Sequence, residues 1–410
     1  MMQCRHCGHT LQHPFLDLGS APPSNAYLTK EALSAPEMWF PLRVLVCDQC
    51  WLVQTEDHAG REALFSKDYA YFSSFSSSWL AHSERYVENM VSRFGLGKES
   101  CVVEVAANDG YLLQYVQSRA IPCYGIEPTA STAAAARAKG LQIEEEFFGV
   151  GLAERLVAQG RQADLTAANN VLAHVPDIND FVRGFARLLK PQGVATFEFP
   201  HLLRMVKECQ FDTAYHEHYS YLSLHAVRTV FEANGLSVFD VEELTTHGGS
   251  LRVFAQRTDG GLRPVETTVE RVLSQEVAAG LLSTQLYADF MRQPARIVRE
   301  LLSFLIDAAN KGKTVGAYGA AAKGNTLLNF AGVRPHLLPY VVDLNPAKQD
   351  KYMPGSQIPI VSEEHLRAHR PDYVVILPWN LRAEVVQQLS YIREWGGQFV
   401  IAVPELKVSP

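Results

Sequence analysis

Val102-Val103-Glu104-Val105-Ala106-Ala107-Asn108-Asp109-Gly110-Tyr111 reads as a buried strand running into a small-residue turn and then a helix. In sheets built from alternating strands and helices, ligands bind at the carboxyl ends of the strands, where small residues admit a ligand against the backbone. The next strand, Cys123-Tyr124-Gly125-Ile126, ends in Glu127, where an acid can accept both hydroxyls of a ribose. No pyrophosphate-cradling GxGxxG is present, so this is not a dinucleotide fingerprint. Taken alone, the pattern is also that of an ordinary strand–turn–helix.

Outward from this stretch the alternation continues. The pattern predicts helices over 79–94, from about Tyr111 and from about Ala130, and strands over 165–168, 194–199 and 251–255. Such alternation means a parallel sheet with helices on both faces. Residues 265–309 read as helical, with Ile297, Leu301 and Leu305 at i, i+4, i+8 and Pro294 dividing the stretch into two helices. A second alternation follows, with strands over 314–318, 338–342, 373–377 and 399–403 and a helix from about Ala321, as in a second, smaller doubly wound domain. The fold class is therefore α/β. The expected boundaries are 1–66 for an N-terminal module, 67–260 for the central domain, 261–307 for a helical connector and 308–410 for a C-terminal Rossmann-like domain.

The first module is read from Cys4-Arg5-His6-Cys7 and Cys47-Asp48-Gln49-Cys50. Two residues between thiolates let both sulfurs bind one tetrahedral ion, and two such knuckles complete an S₄ shell that favours Zn²⁺ and leaves no position for water. The ion is then structural, replacing a core that a short segment cannot build. Redox CxxC pairs usually follow a βαβ pattern, which is missing here, and four unrelated buried thiols are the other alternative. His6 is read as a turn residue rather than a fifth ligand.

The chain has 410 residues, 47% hydrophobic and 20% charged, which suits two or three globular domains. Its net charge of −7, from 37 basic and 44 acidic residues, argues against broad nucleic-acid or anionic-membrane binding. No apolar run is long enough to span a bilayer, and reduced thiols with thiolate zinc fit a cytoplasmic protein.

Three segments carry candidate chemistry. The aromatic, hydroxyl-rich stretch from Tyr69 to Ser78 is a linker or a loop over a pocket. Asn170 and His174 follow the fourth strand, where His174 can contact a substrate or be satisfied by loop backbone. Phe211-Asp212-Thr213-Ala214-Tyr215-His216-Glu217-His218-Tyr219-Ser220-Tyr221 concentrates imidazoles, acids and phenols. On a helical turn Tyr215 and His218 share a face, where they can remove a proton and stabilise an oxyanion, with Glu217 orienting an imidazole or acting as base. A polar structural network and a metal site are the competing readings of the same residues.

The Glu104-to-Glu127 region resembles the first two motifs of class I S-adenosylmethionine-dependent methyltransferases, with Ala106 and Asn108 in place of two glycines and Gly110 retained. The order of motifs along the whole chain resembles the bacterial nucleotide-sugar C-methyltransferases, typified by the C-3 methyltransferase of tetronitrose biosynthesis. That order runs from the four cysteines through Tyr69-x-Tyr71-x-Ser73-Ser74, Glu104 to Gly110, Asn170 to His174 and Tyr215-His216-Glu217-His218. It continues to His247-Gly248-Gly249-Ser250-Leu251-Arg252 and Tyr318-Gly319-Ala320-Ala321-Ala322-Lys323-Gly324-Asn325.

The resemblance implies structural zinc on Cys4, Cys7, Cys47 and Cys50, and S-adenosylmethionine held by Glu104, Ala106, Asn108, Gly110, Glu127 and Asn170. It implies His218 as general base, accompanied by Tyr215 and Glu217, with Tyr69 and His174 near the substrate. The expected reaction is methylation beside the 4-keto group of a nucleotide-linked deoxyhexose, at C-3, with dTDP as the expected carrier and a monomer or small homo-oligomer as the working unit. His247–Ser250 is a turn or a close approach to the sugar. Tyr318 to Lys323 is a tight βα turn or a pyrophosphate cradle. The rivals are C-5 methylation, an O- or N-methyltransferase, and a non-catalytic zinc-ribbon binding module.

Overall fold

The computed structural model describes residues 2–58 and 72–410. Three sheets organise it. The N-terminal sheet has β1 (His13–Ala21), β2 (Phe40–Val46) and β3 (Val53–Thr55) as an antiparallel meander beside the paired cysteine knuckles. The central sheet follows with β4 (Val102–Val105), β5 (Cys123–Ile126), β6 (Ile143–Glu144), β7 (Ala163–Asn169) and β8 (Leu189–Pro200). The chain then returns to the first sheet, where β9 (Ser220–Tyr221) pairs with β3. Next, β10 (Leu236–Leu244) and β11 (Ser250–Arg257) complete the central sheet in the order β10-β11-β8-β7-β4-β5-β6. β4 pairs in parallel with both β5 and β7, so the strand order reverses beside it and opens a crevice at the carboxyl ends.

Local chemistry explains the elements that carry the site. The helix Ser77–Phe94 starts where Ser76 Oγ accepts the Trp79 amide at 3.2 Å and stops at left-handed Gly95. It buries Tyr86, Val87 and Met90 against the central domain, and the Tyr86 hydroxyl meets Thr196 Oγ1 at 2.6 Å. All four residues of β4 are buried, as suits a strand covered on both faces.

The connector departs from the sequence expectation. It forms three helices, Thr267–Ala278, Thr284–Phe290 and Arg292–Asn310. Pro294 divides nothing: it lies in the first turn of the last helix, where a missing N–H leaves no intrahelical bond unmade. The break falls earlier, at Gly280, which has φ of 87°. The last sheet takes the order β14-β13-β12-β15-β16-β17, from β12 (Val315–Tyr318), β13 (Val341–Val342), β14 (Ile360–Val361), β15 (Tyr373–Ile376), β16 (Gln398–Ile401) and β17 (Lys407–Ser409). Only the edge strand β17 is antiparallel.

A buried polar knot ties the connector to the central domain. Glu276 accepts the amides of Leu224 at 2.6 Å and His225 at 2.9 Å and faces His201 Nε2 at 2.7 Å, with both side chains almost fully enclosed. The His201 amide in turn donates to Gly249 O at 3.0 Å. Glu276→Gln keeps the shape but loses one acceptor and the charge, so it is expected to lower stability by about 1–3 kcal/mol. The check is a drop in the thermal midpoint; an unchanged midpoint would mean the knot contributes nothing.

Candidate functional site

The four cysteine sulfurs all lie within 4.8 Å of one another, with Cys4 Sγ to Cys50 Sγ at 3.5 Å and Cys7 Sγ to Cys47 Sγ at 3.6 Å. Sulfurs each about 2.3 Å from a tetrahedral zinc stand about 3.8 Å apart, so the donor set and its spacing fit that ion. The hydrogen bond with Cys50 holds the Cys4 thiol below its usual range, toward the thiolate that a metal takes. Gln54 Nε2 adds a donor to Cys4 Sγ at 3.2 Å. His6 Nδ1 faces Asn179 Oδ1 at 2.8 Å, in agreement with its reading as a turn residue. Arg5, inside the first knuckle, donates to Thr55 O at 2.8 Å and Tyr219 O at 3.1 Å, which fastens the module to the segment carrying His218.

The turn after β4 takes the backbone shape that glycines usually supply. Ala106, Asn108 and Gly110 have φ of 62°, 49° and 78°. A non-glycine residue in that region costs about 1–2 kcal/mol, and it persists where its surroundings fix it. Glu127 supplies part of the fixing: Oε2 accepts the Asn108 amide and Oε1 the Thr129 amide, both at 2.9 Å. Asn108 Oδ1 accepts the Ser73 amide at 3.0 Å, so the segment after residue 72 lies against the turn. Tyr69 lies outside the described residues.

At Gly110 the positive φ strains any side chain, and a Cβ there would also meet Leu141 Cδ1 at 2.3 Å. Glu104 is fully buried at the end of β4, and burial, Asp109 and Glu127 together push its carboxyl well up. Asn170 has φ of 53° and donates its amide to Glu198 O at 2.7 Å. Asp109 Oδ1, Asn169 Oδ1 and Asn170 Oδ1, at the carboxyl ends of β4 and β7, are buried acceptors left without hydrogen-bond partners. Those acceptors and the pinned Glu127 suit the ribose and the amino end of S-adenosylmethionine.

The second cluster sits beside it. Tyr215 and His218 are brought together by a single turn rather than by a helix, with the His218 amide on Tyr215 O at 3.0 Å. Their rings lie 3.9 Å apart, and His174 approaches His218 at 4.6 Å. His218 Nδ1 is 2.9 Å from Thr213 O, and a carbonyl can only accept, so Nδ1 carries the hydrogen and Nε2 the lone pair. Burial holds the His218 pKa well below the ordinary imidazole range, with His174, Lys323 and His247 adding to that shift. His174 Nδ1 donates in the same way to Glu217 O at 2.8 Å, and burial lowers its pKa to about 4.

Glu217 Oε1 accepts Asn25 Nδ2 at 3.1 Å, and burial pushes its carboxyl up. His216 turns away, to the carbonyls of Phe40 and Pro41 at 3.3 Å, and so fastens the segment to β2. The metal reading of His216, Glu217 and His218 finds no support. Among the described residues the four cysteines are the one group of three or more potential ligands close enough to hold an ion.

Further residues complete the surroundings, among them Glu198, His82 and Trp379, which the sequence did not single out. Glu198, at the end of β8, accepts His82 Nε2 and an Arg252 guanidinium nitrogen at 2.9 Å each, and Thr246 Oγ1 at 3.0 Å. Burial alone would raise its pKa, but His82 and Arg252 hold it below the usual value. Trp79 stacks on His82 at 4.9 Å and lies 5.9 Å from Tyr111 and 5.1 Å from His247, linking the turn after β4 to the 246–249 loop. The helical spacing of Trp79, His82 and Tyr86 was the available signal. From the C-terminal domain, Trp379 Nε1 donates to Asp212 Oδ2 at 2.8 Å, and Thr326 Oγ1 donates to Ala214 O at 2.8 Å.

Three family models match in succession: a zinc binding domain over residues 4–65, a methyltransferase domain over 79–241 and a C-methyltransferase C-terminal domain over 245–404. The C-methyltransferase NovU of Streptomyces niveus is 33% identical over 408 residues, covering 99% of this chain and 96% of its own. The ubiquinone biosynthesis O-methyltransferase of Bordetella avium is 31% identical over 98 residues, 23% of this chain and 41% of its own. Among solved structures, magnesium protoporphyrin IX methyltransferase from Synechocystis PCC 6803 with bound SAH has a TM-score of 0.35 and 16% identity, covering 44% of this chain and 83% of that one. No helix among the described residues is long and apolar enough to cross a membrane. With NovU matched almost end to end and the three family models in succession, the chain belongs to the C-methyltransferase family, as an S-adenosylmethionine-dependent enzyme with a zinc-binding N-terminal domain.

Proposed function

We propose that this enzyme methylates a nucleotide-linked 4-keto-deoxyhexose, carried on dTDP, at C-3, the carbon beside the ketone. The observation that carries the reading is His218, enclosed and neutral, its Nδ1–H fixed on Thr213 O so that Nε2 is the basic end. A carbon next to a ketone is weakly acidic, so a positioned base is the chemistry its methylation requires. Bound S-adenosylmethionine supplies the electrophilic methyl group.

The chain's own residues make the nucleophile. His218 Nε2 takes the proton, and Tyr215, 3.9 Å away ring to ring, offers its phenol to the charge that develops. His174 and Glu217 hold one another through the Nδ1–carbonyl bond and so fix the wall of the site. Tyr69 is read with the substrate. We assign the cofactor to Glu104, Ala106, Asn108, Gly110, Glu127 and Asn170, and the enzyme to the cytoplasm, where reduced thiolate ligands persist.

The deciding experiment incubates purified enzyme with candidate dTDP-4-keto-deoxyhexoses and methyl-labelled S-adenosylmethionine. A label bonded to C-3 supports the reading, a label on C-5 moves the carbon, and a label on oxygen overturns it. For the cofactor, Glu127→Ala is expected to weaken S-adenosylmethionine binding by about 1–3 kcal/mol, through lost ribose contacts and a loosened Asn108 turn. Titration calorimetry returning the wild-type affinity would remove Glu127 from the site.

A further inference from the structure

We propose that Lys323, from the C-terminal domain, supplies the positive charge that meets the ketone oxygen as the neighbouring proton leaves, which makes that domain part of the catalytic centre. This rests on the reading of the reaction given above. Lys323 lies at the start of the helix Ala322–Ala331, and one turn later Thr326 hydrogen-bonds the carbonyl of Ala214, next to Tyr215. The helix start is thereby fixed against the segment that carries His218. Lys323 Nζ sits 3.0 Å from Asn380 Oδ1 and 4.4 Å from the centre of the Trp379 ring. That indole is itself held by Asp212 and fills the space over Gly248, where a Cβ would meet it at 2.6 Å.

The ammonium is close enough for its charge to act on His218, His247 and Asp212 together. Asp212 is the acid that faces it, and the carboxylate opposes the desolvation that brings the lysine down to about 8. Burial favours the neutral forms of His174, His218 and His247, so among the described residues Lys323 is the cation beside this trio and Asp212.

The electron balance needs such a cation. The bond from the α carbon to hydrogen breaks, the proton goes to His218 Nε2, and the bonding pair becomes the carbon–carbon double bond. The carbonyl π pair moves onto oxygen, which takes one negative charge. A cation held in a water-poor site before the reaction stabilises that charge without reorganisation. A diphosphate is the other candidate for Lys323, and the two roles differ in what loss of the charge does to turnover and to substrate affinity.

The test uses Lys323→Met, which keeps the stem against Trp379, with Lys323→Gln as the second variant in case the first does not fold. Exchange of the substrate's α proton is followed in D₂O at saturating sugar, with the demethylated cofactor product in place of the donor. The expected result is a loss of about 10²–10³-fold in both the exchange rate and kcat, with KM for the sugar and cofactor affinity close to wild type. A raised KM with wild-type exchange at saturation would overturn the proposal and make Lys323 a substrate-phosphate ligand. Absence of exchange in the wild type with every 4-keto sugar tested would instead remove the reaction on which the proposal rests.

Discussion

His218→Asn should bind S-adenosylmethionine as the wild type does and lose most of its turnover, by about 10²–10⁴-fold, the usual contribution of a positioned general base. Asparagine can still offer an N–H to Thr213 O, so the segment keeps its anchor while the Nε2 lone pair disappears. Exchange of the α proton with D₂O should vanish with it. Exchange at the wild-type rate would move the base elsewhere, with Glu217 next in line because burial raises its pKa. The pH dependence has a definite sign. Burial holds the wild-type imidazole well below its ordinary value, so its basic form persists as pH falls through about 6.5, and the acid limb of kcat/KM should lie lower than that. The same depression makes His218, His174 and His247 stabilising when neutral. That contribution is complete above about pH 6.5, the unfolded value, and is lost as pH falls toward the folded values.

Removing the zinc is expected to do more damage still. Structural zinc is worth on the order of 10 kcal/mol of folding free energy, and here the knuckles hold more than themselves. Arg5 reaches Tyr219 O, and Thr55 Oγ1 donates to His218 O at 2.6 Å, so the module fixes the backbone of the base. Metal analysis should find about one Zn²⁺ per chain, as one S₄ shell holds one ion. Cys47→Ser or prolonged chelation should yield largely unfolded protein, with turnover lost even in the folded remainder. A zinc-free preparation with wild-type stability and activity would contradict this account.

Much of this was readable locally. Strand β5 matches its sequence expectation residue for residue, and the turn after β4 lies where the small residues put it. What the pattern could not carry was convergence over distance. Asp212 and Trp379 are 167 positions apart, and nothing near either one announces the other. Pro294 misled because the same residue that breaks a helix interior is tolerated in a first turn. The Tyr215–His218 pairing was legible from spacing, yet a hydrogen-bonded turn delivers it without a helix. Ala106 and Asn108 show the converse: the sequence lacks two glycines, and Glu127 and Ser73 hold the turn in the glycine-like shape.

Strand β9 imposes an order of events during synthesis. Thr55 and Tyr221, whose hydroxyls meet across the β3–β9 pair, are 166 residues apart. A ribosome adding ~5–20 residues per second takes about 8–33 s to cover that gap. Throughout that time the edge of β3 has no partner strand, and an unpaired edge is a template for association with other chains. The four knuckle cysteines, by contrast, have all left the ribosome soon after Cys50 is made. The newborn module can therefore close around its metal early and keep its short edge ordered, well before the residues it will position have been made.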